Sequence, residues 1–126
     1  MTENEISKII VDSAIEVHRT IGGAGLLEGV YEESLFWELK SRGLLVEKQP
    51  EVPIIYKVNL LASPLRLDLL VEKMVIVEIK AVVTYNTIFE TQALTYLRLM
   101  NLKLALVINF GEKRVANGVH RVVNHL

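Results

Sequence analysis

The segment Leu67–Ala81, which reads LDLLVEKMVIVEIKA, constrains the fold more than any other part of the chain. Its apolar residues alternate over two runs separated by the residues EKM, which is the pattern of two β-strands joined by a short turn. We expect strands at Leu65–Val71 and Val75–Lys80 to pair as an antiparallel hairpin, with Val71 opposite Val75.

This register predicts a group of charged side chains on one face of the hairpin. Asp68 then lies opposite Glu78, with Cβ atoms about 5 Å apart, and Lys80 lies on the same face. Two carboxylates at this distance repel by about 3 kcal/mol at an effective dielectric constant of 20, so a cation must lie nearby. That cation is either bound Mg²⁺, which prefers carboxylate oxygens, or the side chains of Arg66 and Lys80 in a solvent-facing salt-bridge network. The hairpin alone leaves both interpretations open.

Hydrophobic periodicity predicts helices and further strands around this hairpin. The predicted helices are Glu5–Ile21 with Asn4 as its N-cap, Leu27–Arg42 followed by Gly43, and Thr87–Met100. The further predicted strands are Val52–Val58, Lys103–Phe110 and Val119–Val123. The order favours an α/β fold of the mixed-sheet (α+β) kind, with three antiparallel strands and a helical crossover to the fourth. We place the aromatic residues Tyr31, Phe36 and Trp37 in the core.

Composition limits the classes of protein to which the chain can belong. Its 126 residues, 51% of them hydrophobic, suffice for one domain with its own core, and we expect a single domain over residues 1–126. The formal net charge of -1 gives no overall attraction to nucleic acid, so a polyanion must meet a local basic patch. The absence of cysteine excludes disulfides and thiolate metal sites.

The sequence gives no sign of secretion or of insertion into a membrane. The first ten residues, MTENEISKII, lack the basic-then-apolar order of a signal peptide. The longest purely apolar run, Leu104–Ile108, is far shorter than the roughly 20 residues of a membrane-spanning helix. We therefore expect a cytoplasmic location.

Three motifs carry a resemblance to known proteins. Asp68 followed by Glu78-Ile79-Lys80 resembles the signature of the PD-(D/E)xK nuclease superfamily, although Leu67 stands where the name of the superfamily has proline. Gln92-x-x-x-Tyr96 resembles the QxxxY motif of RecB-type members, and its spacing of four places both side chains on one helix face. The segment GLLEGVY, residues 25–31, resembles the pattern that names the GxxExxY proteins of bacteria and archaea, and the resemblance extends from about residue 9 to residue 123.

The resemblance implies a restriction-endonuclease-like core with a metal site. Asp68 and Glu78 would bind Mg²⁺ or Mn²⁺ together with the backbone carbonyl of Ile79. Glu28 matches the family's helical acidic residue and would bind the metal directly or through water. Glu28 is equally well explained as a first-turn glutamate that the helix dipole favours.

The resemblance also implies roles in catalysis. Lys80 would polarise or orient the attacking water, and Gln92 and Tyr96 would orient the lysine, the water or the scissile phosphate. A metal ion and a lysine together provide hydroxide near neutral pH and neutralise the charge that develops on the phosphorane.

These expectations define a function and its main alternative. The function is a metal-dependent nuclease that hydrolyses nucleic acid, with DNA as the expected partner and a homodimer where both strands of a duplex are cut. The alternative is a catalytically weak or inactive nuclease-fold module that binds nucleic acid or protein. No serine-histidine-acid arrangement and no zinc-ligand spacing stands out in the sequence. We interpret His18, His120 and His125 as surface or packing residues.

Overall fold

The computed structural model describes all 126 residues. The helices are α1 (Glu3–Ile21), α2 (Glu28–Ser41) and α3 (Ile88–Met100), and a short 3-10 helix spans Val115–Gly118. The strands are β1 (Val46–Lys48), β2 (Glu51–Val52), β3 (Ile55–Tyr56), β4 (Asn59–Leu60), β5 (Leu65–Arg66), β6 (Leu69–Val71), β7 (Val75–Lys80), β8 (Leu104–Asn109) and β9 (Val119–Val123). No helix combines the length and the apolar character needed to cross a membrane.

The main sheet has five strands in the order β1-β6-β7-β8-β9. β1, β6 and β7 are antiparallel neighbours, β8 is parallel to β7, and β9 is antiparallel to β8. The parallel pair is joined through α3, because two parallel strands need a crossover connection. The mixed α+β sheet predicted from the sequence is therefore confirmed, and it is consistent with a restriction-endonuclease-like core.

Helices cover both faces of this sheet and create two apolar cores. Helices α1 and α2 pack on the face that carries Val75, Val77 and Ile79 of β7. Helix α3 packs on the opposite face, where Ile76 of β7 lies. The alternation of side chains along β7 therefore places one row under each helical layer.

The hairpin has the predicted register, but its first strand is shorter than predicted. Val71 pairs with Val75 and Leu69 with Val77, so the same register places Asp68 opposite Glu78. The strand does not continue back to Leu65, because β5 leaves the hairpin and pairs with β2 in a separate two-stranded sheet. Asp68 thus lies at the point where the chain enters the main sheet.

The predicted strand Val52–Val58 is wrong. The strand that pairs with β6 is β1, and the predicted range is divided between β2 and β3. Pro50 and Pro53 have no backbone N–H, and they interrupt the ladder at these positions. β3 and β4 instead form a small hairpin whose residues are exposed.

The helices lie close to their predicted positions, with differences at one cap and one aromatic residue. Thr2, not Asn4, caps α1: its side chain accepts a hydrogen bond from the Glu5 backbone N–H, and its own N–H donates to the Glu5 carboxylate. Trp37 is 59% exposed, so its predicted place in the core is wrong. Tyr31 is fully buried, as predicted, and stacks on Phe110 with ring centroids 4.7 Å apart.

Candidate nuclease-type site

Asp68 is held against β7 by hydrogen bonds from two directions. Its Oδ2 accepts a hydrogen bond from the backbone N–H of Ile79 at 2.7 Å. Its backbone carbonyl accepts one from the backbone N–H of Gln49 at 2.8 Å. The side chain is therefore directed toward the neighbouring strand.

Glu78 is the most perturbed carboxyl group of the site. It is 8% exposed, and its Oε1 is buried without a hydrogen-bond partner. Burial raises its pKa to about 9, and the charge of Asp68 and a hydrogen bond with Asp68 act in the same direction. Without a metal ion, the Glu78 carboxyl therefore holds its proton at neutral pH and shares the site with Asp68.

Lys80 lies on the same side of β7 but forms no ion pair. Its Nζ is 4.5 Å from the centroid of the Phe89 ring, at cation–π distance. None of the four ion pairs in the structure includes Asp68, Glu78 or Lys80. Arg66 pairs with Glu51 at 2.6 Å instead. The salt-bridge network that the sequence left open is therefore absent, because Arg66 leaves the hairpin with β5.

The end of β7 beyond Lys80 is fixed by a buried amide. Asn109 Oδ1 accepts a hydrogen bond from the backbone N–H of Val82, and its Nδ2 donates to the Val82 carbonyl, both at 3.0 Å. The backbone N–H of Phe110 donates to the Lys80 carbonyl at 2.7 Å. These bonds hold the backbone that carries the lysine against β8.

Helix α2 contributes two glutamates at a spacing of four, which places them on the same side of the helix. Glu28 is exposed; its pKa is raised by partial burial, which Lys80 opposes, and the charge of Asp68 adds to the increase. Glu32 is 7% exposed, and its Oε2 accepts a hydrogen bond from Gln49 Nε2 at 2.9 Å. Burial, and then the charge and a hydrogen bond of Asp68, raise the Glu32 pKa against the effect of Gln49.

Glu32 is thus a site residue that the sequence analysis did not identify. Its pKa responds to the charge of Asp68, and its Oε2 is bonded to Gln49, whose backbone N–H donates to the Asp68 carbonyl. The spacing of four from Glu28 was the available signal. Its hydrogen-bond partner, Gln49, lies in the β1–β2 connection, whose position no local pattern predicts.

Helix α3 contributes Tyr96 and, one turn earlier, Gln92. Tyr96 is half-buried, and burial followed by the charges of Glu78 and Asp68 raises its pKa. Gln92 is exposed and its side chain forms no hydrogen bond. Of the two residues, Tyr96 is the one whose pKa responds to the hairpin carboxyl groups, whereas Gln92 is exposed to solvent.

The donors that could hold a metal ion are few. No group of three or more histidine, aspartate or glutamate side chains is gathered closely enough to hold an ion. Asp68 and Glu78 nevertheless fit a divalent cation, because the unpartnered Oε1 of Glu78 is a buried oxygen next to a second carboxyl group. The backbone carbonyl of Ile79, between Glu78 and Lys80, offers a third oxygen.

Comparison with known families finds a match over most of the chain. A family model described as PD-(D/E)XK nuclease superfamily matches residues 4–122. The matched range includes the hairpin carboxylates, Lys80 and the contributing residues of α2 and α3. No curated protein and no solved structure matches the chain significantly.

Proposed function

Because the chain belongs to the PD-(D/E)XK nuclease superfamily, we propose that it is a nuclease that uses Mg²⁺ or Mn²⁺ to hydrolyse phosphodiester bonds of nucleic acid, with DNA as the expected substrate. The observation that carries this proposal is the buried, unpartnered Oε1 of Glu78 beside Asp68. An unsatisfied buried polar group costs about 1–3 kcal/mol. A divalent cation held by both carboxylates removes that cost, which supports a metal site at this position.

In this proposal Asp68, Glu78 and the Ile79 carbonyl hold the ion. When bound, the metal supplies an activated water and neutralises charge on the phosphate. Lys80 donates a hydrogen bond from Nζ to the attacking water or to a phosphate oxygen. Its contact with Phe89 keeps the ammonium above the ring and out of an ion pair with the carboxylates.

The helices complete the proposed site. The raised pKa of Tyr96 keeps its hydroxyl protonated, so the hydroxyl can donate a hydrogen bond to the phosphate. Gln92 is exposed and would contact the phosphate or the water. Glu32 positions Asp68 through the Gln49 contacts, and Glu28 would bind the ion directly or through water. The GLLEGVY segment further supports assignment to the GxxExxY proteins.

The test is cleavage of defined substrates by the purified protein. Single-stranded, duplex and branched DNA and RNA would be incubated with Mg²⁺, Mn²⁺ or EDTA, using wild-type protein, Lys80→Ala and the matched control Lys103→Ala. We expect metal-dependent cleavage that falls by about a hundredfold or more in Lys80→Ala and is unchanged in Lys103→Ala. Wild-type cleavage no faster than that of Lys80→Ala on every substrate would refute the nuclease proposal.

The alternative is a catalytically weak or inactive nuclease-fold module that binds nucleic acid or protein. It is favoured by the raised pKa of Glu78, because a protonated Glu78 removes the charge repulsion with Asp68 without a metal ion. Calorimetric titration with Mn²⁺ separates the two functions. The nuclease proposal expects one saturable site that is lost in Glu78→Gln, whereas the inactive module expects no specific binding.

A homodimer forms part of the proposal where both strands of a duplex are cut, because each strand then needs its own site. Light scattering of the protein with and without duplex DNA measures the mass directly. Duplex cutting on both strands by a strict monomer would contradict this part of the proposal.

A further inference from the structure

A groove of about 250 Å³ lies between the second half of α1 and the loop that follows β8. It is lined by Ile15, His18, Arg19, Lys113, Arg114, Val115 and Ala116. Lys113 and Arg114 are exposed, and neither takes part in an ion pair. The cationic groups of the loop are therefore free to meet an anion.

The acidic side chains near this groove do not cancel its charge. Glu16 pairs with Arg19 across one turn of α1, and Arg19 is still 73% exposed. Glu112 precedes Lys113 and lies against Gly118, with its Cγ 3.0 Å from the position of an added Cβ there. The groove thus has a local excess of positive charge in a chain whose formal net charge is -1.

The groove is attached to the strand end that carries Lys80. The backbone N–H of Phe110 donates to the Lys80 carbonyl at 2.7 Å, and the Phe110 carbonyl accepts a hydrogen bond from His18 Nε2 at 3.1 Å. The loop that lines the groove therefore follows directly from β8, the strand that pairs with β7 up to Lys80.

We infer that the basic groove binds phosphates of the nucleic acid outside the bond that is cut at Lys80. This inference rests on the proposed function, because it takes nucleic acid as the substrate. An anionic sugar-phosphate backbone fits the groove by charge. The groove then supplies the attraction that the overall charge of the chain does not.

The experiment measures binding, so it does not depend on turnover. Fluorescence anisotropy with labelled single-stranded and duplex DNA, in EDTA and at 50–300 mM salt, would compare wild type with Lys113→Ala/Arg114→Ala. The matched control is Lys8→Ala/Lys103→Ala, which removes two exposed lysines outside the groove. We expect the groove variant to bind about tenfold or more weakly at 0.1 M salt, with a duplex salt slope smaller by about 2, and the control to bind as wild type.

The charge-preserving variant Lys113→Arg/Arg114→Lys should bind DNA with the affinity of wild type, because phosphate contacts in the groove depend on charge more than on side-chain type. Equal affinities and equal salt slopes for the groove variant and the control would overturn the inference.

Cleavage measured in parallel separates this inference from the proposed function. Groove-dependent binding without metal-dependent cleavage would leave the groove assigned and refute the nuclease. Metal-dependent cleavage, together with unchanged binding by the groove variant, would support the nuclease and refute the role of the groove.

Discussion

The two faces of β7 are both buried, but they are stabilised very differently. On one face Val75, Val77 and Ile79 are fully covered by the core beneath α1 and α2. On the other face Ile76 is covered by α3, and Glu78 then follows as a carboxyl group with a buried oxygen that has no partner.

The contrast shows how a small domain can hold an unfavourable group in place. Apolar burial contributes roughly 25 cal/mol per Å², and the row beneath α1 and α2 gains this stabilisation without burying a polar group. The same strand therefore fixes Glu78 and Lys80 although the carboxyl group itself is destabilising. Side chains that stabilise the core and side chains of the candidate site therefore alternate along one strand.

The largest effect on stability is expected when a side chain on the apolar face is truncated. Ile79→Ala should lower the free energy of unfolding by about 2–5 kcal/mol, because it removes buried methyl groups and leaves a cavity. Urea unfolding followed by circular dichroism measures the change. Lys80→Ala is the neighbouring control and should change stability by less than about 1 kcal/mol. A loss of stability at Lys80 as large as that at Ile79 would remove the distinction between the faces.

The opposite sign is expected on the polar face, where Glu78→Gln should stabilise the metal-free protein at high pH. The pKa of Glu78 is about 9 in the folded state and 4.5 by its reference value. Between these values the unfolded chain releases a proton that the folded chain holds, so stability falls as pH rises. The slope is at most about 1.4 kcal/mol per pH unit.

Urea unfolding in EDTA at several pH values between 5 and 8 measures this slope. Wild type should lose stability over the range, Glu78→Gln should lose much less, and the exposed control Glu33→Gln should follow wild type. Added Mn²⁺ should restore wild-type stability at pH 8, because the ion binds the ionised carboxylates. An identical slope in Glu78→Gln would show that another group is responsible.

The register of the hairpin could be predicted because alternation along Val75–Lys80 is local and regular. The first strand of the sheet, β1, could not be predicted from the sequence. β1 has three residues and β2 has two, which is too short for a period to be recognised, and Pro50 lies between them. The exposure of Trp37 likewise depends on which side of α2 faces α1, and both sides of that helix carry apolar residues.

The candidate site shows the same division between local and distant information. The juxtaposition of Asp68 and Glu78 follows from the hairpin register. The burial of Glu78 could not be predicted, because it requires α3 to cover this end of the sheet. The contact between His18 and Phe110 joins residues 92 positions apart, so no spacing in the sequence indicates the basic groove.

Two glycines differ in the space around them, one beside the backbone that follows β7 and one in α2. A Cβ on Gly111 would lie 2.3 Å from the Val82 carbonyl oxygen, whereas a Cβ on Gly29 in α2 meets nothing within 4 Å. Gly111→Ala should therefore destabilise the protein by about 1–3 kcal/mol, since the clashing atoms are backbone. Gly29→Ala should stabilise it by up to about 1 kcal/mol through helix propensity. Thermal unfolding of both variants checks the prediction, which fails if Gly111→Ala is as stable as wild type.

The smallest expected effect concerns the ring beneath Lys80. An exposed or half-buried cation–π contact is worth about 0.5–1 kcal/mol, which corresponds to a two- to fivefold change in rate. Phe89→Leu keeps the apolar volume but removes the ring, so in the proposed nuclease it should lower kcat by that factor and leave KM nearly unchanged. Phe89→Tyr keeps the ring and should retain the wild-type rate.

Single-turnover cleavage, together with the melting temperature of each variant, makes this measurement. A purely structural role for Phe89 would lower the melting temperature of Phe89→Leu without a specific effect on kcat. A positioning role would lower kcat of Phe89→Leu without lowering its melting temperature. The ring then acts on the orientation of the Lys80 ammonium and not on the packing of α3. Equal rates for the leucine and tyrosine variants would contradict it, and the polar face of β7 would then depend on its strand alone to orient the lysine.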